Sequence, residues 1–156
     1  MRFLLCRCVV LITLACWAVP TLAQQDRVGV VTVVTAKATG QAPDAPIEQL
    51  VIGHKVVRKE KISTFNRGHV QLLFTDQSTL TLAENSEIVI DDIVFDPKTG
   101  TSQITATISK GLVRYGGKTN SRANAQFLTP SGSVDIRGGG GAVISVEPKS
   151  LAGSSR

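Results

Sequence analysis

"HVQLLFTDQSTLTL", residues His69 to Leu82, alternates apolar and polar side chains on both sides of a short polar break. Val70, Leu72 and Phe74 share one face, as do Leu80 and Leu82, while Thr79 and Thr81 take the other. A period of two belongs to an extended strand with one side buried, whereas a helix repeats its apolar residues every three or four positions. The break "TDQS", Thr75 to Ser78, reads as a tight two-residue reversal around Asp76 and Gln77, which makes the stretch a hairpin.

The same grammar extends outward. Ile88 pairs with Ile90, and Ile104 with Ala106 and Ile108, while Thr105 and Thr107 fall opposite. "DPKTG", Asp96 to Gly100, sets Pro97 where a turn needs its φ preset and Gly100 where a left-handed residue is cheap, so it joins two strands. Short β-branched runs continue in "VGVVTVV", "KISTF", "QITATI", "GLVRY", "AQFLT", "SVDIR" and "AVISV", and no stretch has a helical period. "TGQAPDAPI", Thr39 to Ile47, reads as an exposed loop. The expectation is an all-β, single compact domain of short strands: a sandwich, barrel or solenoid.

The first residues differ from the rest. Arg2 and Arg7 flank a basic start, "VVLITLACWAV" is apolar or small throughout, and Pro20 precedes "TLA". This is the pattern of a signal peptide, residues 1–23, cleaved after Ala23. Its apolar run is shorter than the roughly 18 residues of a membrane-spanning helix, so no retained transmembrane helix is expected. Residues 24–147 then form the domain and 148–156 a flexible tail. Cys6, Cys8 and Cys16 all lie in the leader, which leaves the exported chain without thiol chemistry. The loss of Arg2 and Arg7 lowers the formal charge by two from +5, weak grounds for an anionic partner.

Catalytic constellations are missing. His54 and His69 are the two histidines available as bases, and no Gly-x-Ser-x-Gly elbow accompanies them. Glu84, Glu87, Asp91, Asp92 and Asp96 invite calcium, but in an extended strand Asp91 and Asp92 point to opposite faces and no EF-hand order occurs. Lys55, Arg58, Lys59 and Lys61 read as a solvated flank, because the aromatic platforms that nucleic-acid surfaces add are scarce. In "GLVRYGGKTN", Gly111 to Asn120, counting back five from Gly117 reaches Leu112, so the spacing of a P-loop fails. The Gly138–Gly141 run marks a bulge or a close backbone approach. No catalytic residue, metal or cofactor is expected.

Five ordered motifs nevertheless form a pattern: "VGVVTVVTA" (Val28–Ala36), "VIGHKVVRKEKIST" (Val51–Thr64), "HVQLLFTDQSTLTLAENSEIVIDDIVFDP" (His69–Pro97), "ISKGLVRY" (Ile108–Tyr115) and "FLTPSGSVDIRGG" (Phe127–Gly139). Together they resemble the FecR domain of bacteria. By that resemblance Thr64 ends an "I.T" segment, and Asp76 with Ser78 matches a "DGS" turn. Lys110, Gly111 and Arg114 match "KG..R", Thr129 and Pro130 match "TP", and Arg137 with Gly138 matches "RGT". Gln77 replaces the turn glycine, and Gly139 the threonine of "RGT", which loosens the expected pairing of the last strand.

The resemblance implies a solenoid-like or twisted-sandwich domain outside the cytoplasm. The best-known members pass a signal across the inner membrane to a sigma factor, a role that needs a preceding membrane span. Here a leader opens the chain, so the expectation is a free-standing periplasmic or secreted module, not an enzyme, that binds an envelope protein. The alternative is a polysaccharide or peptidoglycan binding module. No nucleic-acid partner is expected.

Overall fold

The computed structural model describes residues 27–118 and 122–147. The leader, its cleavage point after Ala23 and the tail 148–156 lie outside the described residues. Twelve strands follow one another: β1 (Arg27–Thr35), β2 (Ala38–Gln41), β3 (Glu48–Gln49), β4 (Lys55–Val57), β5 (Glu60–Thr64), β6 (His69–Phe74), β7 (Thr79–Leu82), β8 (Glu87–Asp96), β9 (Thr101–Gly116), β10 (Arg122–Thr129), β11 (Gly132–Arg137) and β12 (Gly141–Val146). They form one sheet curled into a half-barrel, antiparallel except where β10 runs parallel to β9. One half runs β4-β1-β6-β7-β9-β12, the other β3-β2-β5-β8-β9-β10-β11. No helix interrupts the described residues.

The alternation read from sequence is the alternation of burial. Val70, Leu72, Phe74, Leu80, Leu82, Ile88, Ile90, Ile104, Ala106 and Ile108 are buried, and Thr79, Thr81, Thr105 and Thr107 occupy the other face half-buried. Tyr115 and Phe127 join this core, their rings tilted by 58° with centroids 5.4 Å apart. Aromatic pairs prefer such tilted geometry, because it sets the positive edge of one ring against the negative face of the other.

Strand β9 holds the two halves together. "QITATI" and "GLVRY" looked like separate strands, but they are one strand of 16 residues. Its first part pairs with β8 and β10 and its last part with β7 and β12. The change of sheet follows a register shift against β8 and falls at Gly111, φ +96°. Strands that switch sheets in this way bend at a bulge or a residue free of Cβ strain.

Four further expectations change. The β6–β7 connection is a three-residue loop, not a two-residue reversal. Phe74 N–H donates to Ser78 C=O, Gln77 N–H to Phe74 C=O, and Gln77 alone takes positive φ, +70°. A two-residue I′ turn needs positive φ at both central residues, whereas a left-handed residue after a type I turn closes a three-residue loop. Gln77 therefore stands in a glycine conformation, and Gln77→Gly is expected to raise stability by about 0.5–1 kcal/mol; an unchanged or lower urea midpoint counts against it.

Asp91 and Asp92 do not point to opposite faces. A register shift between Ile90 and Asp92 inserts one residue, so that Ile90 and Ile93 are both core, Asp92 lies across from Thr105, and Asp91 accepts a 2.6 Å bond from Thr107 Oγ1. Thr39–Gln41 belongs to β2 and Gly40 is buried, so the exposed loop is shorter than read. The last strand, whose order the glycine run put in question, pairs with β9 over all six of its residues. Glycine serves that pairing, since a Cβ on Gly117 would stand 2.8 Å from Gly140 C=O. The turn at "DPKTG" stands as read, with Gly100 at φ +67°. Bonds from Lys98 N–H and then Thr99 Oγ1 hold the Asp96 carboxyl below its usual pKa.

Candidate functional site

The motif residues comprise buried fasteners, turn residues and exposed cations. Thr64, at the end of β5, is buried; its hydroxyl donates to Ala83 C=O at 2.5 Å and accepts Ser86 N–H at 2.9 Å. Ser86 Oγ in turn accepts Leu112 N–H at 3.1 Å. Gly111 lies against that serine so closely that a Cβ would enter the space of Ser86 Oγ, Cα and Cβ. Thr64, Ser86 and Gly111 thus make one knot at the point where β9 turns from one half to the other.

The second fastener is at the β6–β7 loop. Asp76 is buried; its Oδ1 accepts Ser78 N–H at 2.9 Å and Ser78 Oγ at 2.6 Å, and its Oδ2 accepts the hydroxyl of buried Ser102. The β6–β7 loop is tied in this way to the start of β9 in the other half. Beside it, the Tyr115 hydroxyl is buried without a well-formed hydrogen bond. Burial pushes the phenol pKa above its usual 10.0, the Ser78 hydroxyl pulls it back, and Asp76 raises it again. The folded state therefore holds the phenolic proton more tightly than the unfolded chain. The stability that follows is fully present below about pH 10 and is lost as pH rises through the folded value. Wild type is expected to lose stability more steeply than Tyr115→Phe above pH 10 in urea titrations; parallel curves would sink the assignment.

Thr129 and Pro130 make the β10–β11 turn, where Thr129 Oγ1 donates to Gly132 C=O at 2.8 Å. Gly138 follows β11 at φ +80° and its N–H donates to Ala123 C=O. Lys110, Arg114 and Arg137 are exposed, and each lines a different cleft. Arg114 belongs to a shallow cleft of about 540 Å³ on the outer face of β6, β7 and β9, with Gln71, Thr81 and Leu112. It has no carboxylate partner among the described residues. Val143 of β12 lies directly across from it and is 64% exposed.

The sheet edges differ. β3 has two residues and carries Glu48, β4 has three and carries Lys55, and β11 carries Asp135 and Arg137. β12, "GAVISV", has six residues, no charge and no proline, and among the described residues it pairs only with β9. Short length, charge and proline are the devices that discourage strand addition, and β12 has none of them.

The family model described as FecR protein matches residues 60–152. The chain belongs to the FecR family. The match opens at Glu60 and takes in β5 to β12, so the "VGVVTVVTA" motif lies outside it. Membership of the FecR family points to a signalling or sensing role. No curated protein and no solved structure matches the chain. No helix among the described residues is long and apolar enough to cross a membrane. Among the same residues no three of His, Cys, Asp and Glu converge where a metal could sit. Asp92 instead faces Arg58 at 3.1 Å.

Sequence reasoning missed Glu60 in this FecR chain. It lies within the basic stretch read as solvated, yet it is 1% exposed. Its Oε2 accepts Val57 N–H at 2.9 Å and its Oε1 meets His54 Nε2 at 2.8 Å. Gly40 leaves the room this needs, since a Cβ there would stand 2.5 Å from Oε1. His54 is half-buried on this partner and His69 is exposed on β6. The signal was available: Glu60 has the same parity as buried Ile62 and Thr64.

Proposed function

We propose that this FecR chain is a non-catalytic sensing or signalling module that works outside the cytoplasm and binds a protein partner by strand addition at β12. The observation that supports it is the edge itself: six residues of unguarded backbone with Val143 exposed beside Arg114. An incoming strand gains main-chain hydrogen bonds along such an edge, and side-chain pockets choose among partners. The fitting partner is an extended segment with alternating apolar residues and a carboxylate within reach of Arg114. The export half of the reading rests on the leader-like residues 1–23, and protein sequencing of exported chain should begin at Gln24.

The test places a photo-crosslinking side chain at Val143 and, as control, at Val94, which is also exposed but lies on β8. In envelope extracts the Val143 site should give a discrete protein adduct that Arg114→Glu abolishes. Identical adducts from both positions, or none from Val143, would overturn the proposal.

A further inference from the structure

A second cleft lies on the outer face of β2, β5 and β8 and has a volume of about 370 Å³. That is within the roughly 300–1,000 Å³ of small-molecule sites. Its charge is unbalanced: three lysines, Lys37, Lys61 and Lys110, face one carboxylate, Glu87, and Lys61 already takes that carboxylate at 2.9 Å. Lys37 and Lys110 have no ion-pair partner among the described residues.

The cleft also holds an aromatic ring. Phe65 is 42% exposed, and the Lys37 ammonium is 5.2 Å from its centroid. The cation–π contact sets the ammonium over one face of the ring, which leaves the other face for a ligand, and it does not use the charge on an anion. Ser63 and Asn85 line the same space, and their side chains make no hydrogen bond among the described residues. Neither the Arg114 cleft nor the Arg137 cleft is lined by a Phe, Tyr or Trp ring.

We propose that this cleft binds an acidic saccharide: the C–H face of a sugar ring lies against Phe65, its carboxylate is held between Lys37 and Lys110, and its hydroxyls reach Ser63 and Asn85. A uronic acid presents apolar face, anion and hydroxyls together, which is the combination these residues answer. A free inorganic anion would use the lysines and leave the ring idle. A neutral sugar would leave two cations unused. The site is independent of strand addition at β12, so either can fail while the other stands.

The experiment titrates the full exported chain calorimetrically with tetragalacturonate, with neutral galactotetraose and with sodium sulfate. Tetragalacturonate should bind and the other two should bind at least tenfold more weakly or not at all. Binding should weaken as salt rises from 20 to 200 mM, as screening shortens the reach of Lys37 and Lys110 (about 10 Å at 0.1 M). Lys110→Ala and Phe65→Ala should each cost roughly five- to tenfold. Lys98→Ala, in the exposed β8–β9 turn, should change nothing. Absence of tetragalacturonate binding, equal binding of galactotetraose, or loss with Lys110→Ala but none with a folded Phe65→Ala would each overturn the proposal. Should Phe65→Ala not fold, Lys110→Ala and the ligand comparison decide the matter alone.

Discussion

Gly111→Ala is expected to destabilise the domain by about 3 kcal/mol or more. Two separate costs combine at this position. A φ of +96° is strained for any residue with a Cβ, by about 1–3 kcal/mol. The new Cβ would also enter the space of Ser86, whose hydroxyl accepts Leu112 N–H, and overpacking of that kind costs about 1–3 kcal/mol more. At a urea slope of about 1–3 kcal/mol per molar, the midpoint should fall by roughly 1–3 M. Gly100→Ala separates the two costs: its φ is +67°, and a Cβ there would meet nothing within 4 Å. It should lose about 1 kcal/mol from backbone strain alone. Equal losses at the two glycines would mean that the contact with Ser86 contributes nothing. The β9 bend would then rest on φ alone.

Asp76→Ala should cost about 3 kcal/mol. The carboxylate accepts three bonds, two from Ser78 and one from Ser102, and its removal leaves buried donors without acceptors at about 1–3 kcal/mol each, less whatever rearrangement recovers. Asp76→Asn should lose less, since the amide keeps one acceptor oxygen and Ser102 Oγ is free to rotate and accept from the amide nitrogen. Because Asp76 and Ser102 share a hydrogen bond, their alanine variants should not add. A double-mutant cycle read by urea denaturation is expected to return at least about 0.5 kcal/mol of coupling. Additive losses would disconnect the β6–β7 loop from the start of β9.

These two residues were legible as motif positions but not in their roles. "KG..R" and the "DGS" turn read as matches to a family pattern, and nothing local shows that Ser86 would abut Gly111 or that Ser102 would reach Asp76 across 26 positions. The exposed cations of the family motifs, Lys110 and Arg114 of "KG..R" and Arg137 of "RGT", occupy three separate clefts. Glu60 was hidden by its basic neighbours, although parity with Ile62 marked it as inward.

The sequence alone determined that the described chain is built of strands and which residues of most strands face the core, because a period of two is a local property that each segment carries in itself. It also marked the Gly138–Gly141 run as a bulge or a close backbone approach. Tertiary structure decided the rest. The Ile90–Asp92 register shift reversed the expected opposition of Asp91 and Asp92, since parity survives only while each residue has one partner across the ladder. The three-residue loop at Gln77, the burial of Glu60 on His54, the continuity of β9 and the open edge at β12 all depend on what lies opposite in space. Hydrogen-bond partners and close contacts between distant segments settle such features, and no window of sequence contains both sides of them.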